Sequence, residues 1–172
     1  MSLRPFLVIR RITELSPSWL LQHEIKGLLV DIDNTTTSYH SDNIPDDILS
    51  WFDDIKSAGL KFAPYSNARA YRIKNFCDRF GINNPGLAIK PLNFGLGRAL
   101  QALGAPKDRI LLIGDQVFTD CLAGRFSKIR TVLVNPISVH ENPVTKFMRV
   151  IEKLIGRTRW GYDELTTNDR KR

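Results

Sequence analysis

The sequence predicts an α/β fold of three layers, a parallel sheet covered by helices on both faces. Three observations carry that prediction. Short apolar runs alternate with helical patterns along the 172 residues. The first clear run, residues 25–30, is apolar at every position but Lys26 rather than alternating, as expected of a strand buried on both sides. Polar residues stand just past the ends of four runs, on the sheet edge where open α/β sheets bind ligands.

The first strand is predicted at residues 25–30 and ends at Asp31. In the helix that follows, Ile48, Leu49, Phe52 and Ile55 recur on one face before Gly59 closes it. Residues 60–65 form the second strand, ending at Ser66. A second helix carries Ile73, Phe76, Cys77 and Phe80 on one face, and Gly81 stops it. Residues 87–89 read as a short third strand ending at Lys90. Leu96, Ala99, Leu100 and Leu103 mark the third helix, with Gly104 beyond its end. Residues 109–113 give the fourth strand, leading to Gly114 and Asp115, and residues 130–134 the fifth, before Asn135 and Pro136. Asn142-Pro143 then opens a basic amphipathic helix over about 143–157. Packing on the sheet is its plainer reading, and lying in an anionic lipid interface is the alternative.

No repeat or linker divides the chain, so residues 1–172 are expected to form a single domain. A domain of this size buries a core without a metal or disulfide staple. Cys77 and Cys121 each fall in an apolar helical pattern, as reduced core residues would in a cytoplasmic protein. The start is too short and weakly apolar for a signal peptide, and no run reaches the roughly 20 apolar residues of a membrane span. A net charge of +7 favours an anionic partner: a phosphorylated substrate, an acidic lipid or nucleic acid. Nucleic acid is disfavoured, since no stripe of interleaved aromatic and basic residues is present.

The polar strand ends carry the chemistry. Asp31 and Asp33, two apart in an extended segment, share a face. Close carboxylates repel unless a proton or cation relieves them, and Mg²⁺ binds carboxylates together with substrate phosphate. The pair also suits a two-step phosphoryl transfer, one carboxylate attacking and the other handling protons. Ser66-Asn67, between a strand and a helix, offers a hydroxyl and N–H groups for a phosphate oxygen. Lys90 supplies fixed positive charge. Asp115 could complete a metal shell, and Asp120, five residues on, could orient it or a bound water. Each alone has a blander account: a turn for Asp31 and Asp33, a helix cap for Ser66, solvated charge for Lys90, a dipole partner for Asp120. Their combination in this order outweighs those accounts. His23, His40 and His140 lack metal-ligand spacing.

That combination resembles the haloacid dehalogenase (HAD) superfamily of phosphotransferases, through Asp31-Ile-Asp-Asn-Thr, Ser66-Asn67, Lys90-Pro91 and Gly114-Asp115-Gln-x-x-Thr-Asp120. More narrowly it is similar to the YqeG-like phosphatidylglycerophosphate phosphatases, from about residue 3 to about residue 154. Leu3-Arg4-Pro5, Trp51-Phe52 and Tyr65-Ser66-Asn67 belong to that likeness. Thr36 departs from it, standing where such proteins carry leucine or a similar residue. The resemblance implies a Rossmann-like core, Asp31 as nucleophile and Asp33 as general acid and base. It also implies Ser66 and Lys90 as phosphate binders, and Mg²⁺ held by Asp31, the Asp33 carbonyl and Asp115. Its implied substrate is an anionic phospholipid met at the inner face of a membrane.

The spacing bears on access. Asp31 and Ser66 lie 35 positions apart, and Ser66 and Lys90 lie 24 apart. A helix, a strand and turns fill those gaps, leaving no room for a lid domain of the kind that selects small substrates. Residues 36–43 are the candidate flap. Two alternatives stay open at this level: a phosphatase for another metabolite or protein, and a basic binding module with a vestigial site.

Overall fold

The structure is a computed structural model that describes residues 3–39, 41–138, 148, 150–152, 157 and 160–165. Among these residues, five parallel strands form one sheet in the order β1-β5-β4-β2-β3. The strands are β1 (Leu7–Val8), β2 (Gly27–Val30), β3 (Lys61–Pro64), β4 (Ile110–Gly114) and β5 (Arg130–Leu133). The α-helices among them are α1 (Pro17–Gln22), α2 (Asp46–Ser57), α3 (Ala70–Phe80), α4 (Leu96–Leu103) and α5 (Leu122–Ser127).

The continuous apolar runs are explained by burial on both sides. Leu28 and Val30 of β2, with Leu111 and Ile113 of β4, pack into the core shared with α1, α2 and α3. Leu29, Ile110 and Leu112 face the opposite way, against Leu96, Ala99 and Leu103 of α4 and Ala123 of α5. This is the three-layer α/β/α, Rossmann-like arrangement the sequence predicts. On the first face Phe52, Phe62, Phe76 and Phe80 meet ring to ring, with Phe52 4.6 Å from Phe62 and 4.7 Å from Phe80. Truncating so buried a ring to alanine costs about 3–5 kcal/mol.

Topology places the site. The chain passes from β2 outward to β3, then returns to lay β4 on the other flank of β2. The strand order reverses there, which opens a crevice beyond the carboxyl ends of β2 and β4. Register levels those ends: Val30 pairs with Ile113 and with Pro64, so Asp31, Ser66 and Asp115 emerge on one edge.

Residues 87–89 correct the sequence reading: they join no strand of the sheet. The Ala88 N–H donates to the Ser66 carbonyl, and Ile89 pairs only with Phe94 in an isolated bridge. The Arg98 guanidinium takes the Pro85 and Leu87 carbonyls that a neighbouring strand would otherwise claim. β1 and α1 escaped the sequence reading, β1 because two residues carry no period. Cys77 and Cys121 are free and buried. Among the described residues no helix is long and apolar enough to cross a membrane. Most of the expected helix over 143–157 lies outside the described residues, as do His40 and His140.

Candidate active site

Asp31 follows β2 directly, and its N–H donates to the Ile113 carbonyl of β4, so its position is fixed by the ladder itself. The chain then turns sharply. The N–H groups of Thr35, Thr36 and Thr37 all point back to the Ile32 carbonyl, and Asn34 takes the left-handed conformation (φ 61°) that asparagine tolerates well. This turn carries the Thr35 hydroxyl to 3.4 Å from Asp115 Oδ1, tying β2 to β4.

Lys90 is held from the backbone up. The Asn67 carboxamide clasps its peptide, accepting from the Lys90 N–H at 2.7 Å and donating to the Lys90 carbonyl at 3.1 Å. The buried ammonium then bridges two carboxylates, Asp31 Oδ1 and Asp120 Oδ1, each at 2.6 Å. Asp120 reaches this point from a single π-helical turn, Val117–Cys121, a distortion common at functional sites. It accepts from the Gln116 N–H and lies against Gly114, where a Cβ would stand 2.1 Å from the Asp120 carboxyl carbon. Only glycine admits that approach.

Asp31, Asp115 and Asp120 thus form one buried acidic cluster, with ligand oxygens all within 4.8 Å of one another. Among the described residues the Lys90 ammonium serves Asp31 and Asp120, and burial makes the gathering of three carboxylates costly. Burial pushes the Asp31 carboxyl up to about 6; Lys90 opposes that push and Asp120 adds to it. Burial alone would lower Lys90, but Asp120 and Asp31 outweigh it and hold the ammonium firmly protonated. An all-oxygen, net anionic cluster of this kind fits a hard divalent cation.

The remaining expected residues sit around this cluster with distinct partners. The Ser66 hydroxyl, fully buried, accepts from the Ala68 N–H at 3.1 Å and the Ile32 N–H at 3.4 Å, and it helps hold Asp31 ionised. Asn67 spends its carboxamide on Lys90. The Asp33 carboxylate meets Arg72, whose Nε stands 2.9 Å from Oδ1. Burial raises the Asp33 carboxyl, while Arg72 and then Lys90 pull it back. A cleft of about 480 Å³ lined by Ile32, Thr37, Asp42 and Arg72 lies beside Asp33, without the acidic cluster in its walls.

Two contributors escaped the sequence reading. Arg72 of α3 grips the candidate flap, donating to the Ser38 carbonyl at 3.1 Å and to Asp42 Oδ1 at 2.9 Å, besides a contact with the Thr37 hydroxyl. The available signal was an arginine four residues before Phe76, on the apolar face of its helix. The second is Arg157, which donates to the Asp115 carbonyl at 2.9 Å and pairs with buried Glu152; Glu152 in turn accepts from the Val117 N–H at 2.6 Å. No local pattern announces that pairing.

Comparison with known proteins bears on the family and the fold. Residues 88–136 match the HAD-hydrolase-like family model. The chain is 31% identical over 147 residues to a Bacillus subtilis (strain 168) protein named a probable phosphatase, YqeG, covering 86% of each. An uncharacterised protein from Listeria monocytogenes serotype 4b shares the fold at a TM-score of 0.50 and 15% identity. That match covers 77% of this chain and 99% of the other.

Proposed function

Because the chain belongs to the HAD phosphatases of the YqeG type, we propose that it hydrolyses a phosphate monoester through an aspartyl-phosphate on Asp31, with phosphatidylglycerophosphate as its substrate. One observation carries the catalytic reading: Lys90 joins Asp31 and Asp120 in a buried cluster with Asp115, at the sheet edge where the strand order reverses.

In the first step an Asp31 carboxylate oxygen attacks phosphorus, and the bond from phosphorus to the leaving alcohol oxygen breaks. Asp33 gives that oxygen a proton, and the burial that raises its carboxyl favours the protonated form this step needs. In the second step Asp33 takes a proton from water, the water oxygen attacks phosphorus, and the bond to Asp31 breaks to release inorganic phosphate. Lys90 and the Ser66 hydroxyl bind the non-bridging phosphoryl oxygens as charge builds on them. Mg²⁺ would be held by Asp31, Asp115 and the Asp33 carbonyl, with Asp120 beside them. When bound, the cation neutralises phosphoryl charge.

The lipid substrate is supported by the likeness of the Leu3-Arg4-Pro5 and Tyr65-Ser66-Asn67 segments to phosphatidylglycerophosphate phosphatases. The lack of a lid-sized insertion between Asp31 and Lys90 supports it too. Such a substrate would bring the enzyme to a membrane surface peripherally. The test is phosphate release from phosphatidylglycerophosphate with Mg²⁺ by the wild type and by Asp31→Asn. Release by the wild type alone is expected; equal release by both refutes the nucleophile, and release only from soluble esters refutes the lipid.

A further inference from the structure

The loop that carries Lys90 exposes an unusual amount of apolar surface. Leu87 is 45% exposed, Ile89 50%, Leu92 76% and Phe94 55%. The Ile89 N–H donates to the Phe94 carbonyl at 3.2 Å, closing a turn that has Leu92 near its tip. Arg98 braces the base of the loop through the Pro85 carbonyl at 2.6 Å and lies 5.4 Å from the centre of the Phe94 ring. Asn67 fixes the Lys90 peptide from the other side. The apolar side chains therefore project from a braced loop beside the acidic cluster.

We infer that this loop is a membrane-docking element, seating Leu92 and Phe94 in an anionic lipid surface so that a lipid-borne phosphate meets Asp31. The inference rests on the phosphatase reading of the site and names the surface on which it works. Three features select a bilayer as the occupant. The patch is a turn tip that projects outward, which suits a deformable host better than a preformed complementary surface. A cation flanks it, with Arg98 against Phe94, on a chain of net charge +7. Its tip lies within two residues of the lysine that bridges the carboxylates, so docking and phosphate capture occur at one place.

Sedimentation with phosphatidylglycerol vesicles and with phosphatidylcholine vesicles, free of any phosphate ester, tests the docking. Leu92→Asp and Phe94→Asp are expected to lower partition onto phosphatidylglycerol vesicles by roughly tenfold or more. Their turnover of p-nitrophenyl phosphate should equal that of the wild type. Leu92→Trp is expected to retain binding and to shift its fluorescence to the blue on vesicles, a readout that holds even if an aspartate variant misfolds. Unchanged partition in the aspartate variants, binding indifferent to lipid charge, or Leu92→Trp fluorescence that ignores vesicles would each overturn the proposal. A change of oligomeric state in Leu92→Asp would also overturn it, by making the patch a contact between copies. Wild-type docking without turnover of any ester would instead sink the phosphatase reading and leave the docking surface standing.

Discussion

The Arg72 guanidinium lies 2.9 Å from the Asp33 carboxylate while it also holds Asp42 and the Ser38 carbonyl. One buried side chain of α3 therefore fixes both the carboxyl assigned to proton transfer and the segment that follows it.

That arrangement gives a pH prediction. Burial raises the Asp33 carboxyl and Arg72 lowers it, so removing the guanidinium raises it further. In the first step Asp33 must be protonated, and activity falls as pH rises through its pKa. Arg72→Met is therefore expected to move the alkaline limb of kcat/KM to higher pH while lowering kcat through the loosened flap. An unmoved limb beside a lowered kcat would assign Arg72 to the fold alone.

The gathering of three buried carboxylates, with ligand oxygens within 4.8 Å of one another, predicts stabilisation by a divalent cation. Mg²⁺ at a hundredfold excess over its dissociation constant contributes about 2.7 kcal/mol, roughly 5–10 °C in Tm for a chain of this size. Asp115→Asn should abolish most of that shift. Thermal unfolding with and without Mg²⁺ checks it; equal shifts in both proteins would place the cation elsewhere.

Much of this was legible before any coordinates. β2 and β4 announced themselves because burial on both faces demands unbroken apolar runs, and Asp31, Ser66 and Asp115 followed because strands end where polar residues begin. Lys90 follows from its place past the expected strand at 87–89, although that segment is an extended loop braced by Arg98. Asp120 illustrates what periodicity cannot give: its approach depends on a π-helical turn and on the missing Cβ of Gly114. Arg157 depends on a contact 42 positions distant, which no local pattern encodes.

The Arg157–Glu152 pair should matter for stability as well as for the site. Glu152 is fully buried, so Arg157→Met takes from its carboxylate the guanidinium that pairs with it. Breaking a buried pair from one side costs about 3–5 kcal/mol, readable as a lower urea midpoint. The double variant Glu152→Gln, Arg157→Met should recover part of the loss. A single-variant cost below about 1 kcal/mol, the level of an exposed pair, would show that the segment does not anchor the Asp115 loop.

The most direct test of the central claim is acid-quenched labelling with a phosphate ester carrying radioactive phosphorus, followed by peptide mapping. With an ester whose leaving group departs without a proton, Asp33→Asn is slowed chiefly in its second step and should accumulate label on the peptide containing Asp31, and adding Asp31→Asn should erase it. Label on another residue, or phosphate release that persists without Asp31, would contradict the account.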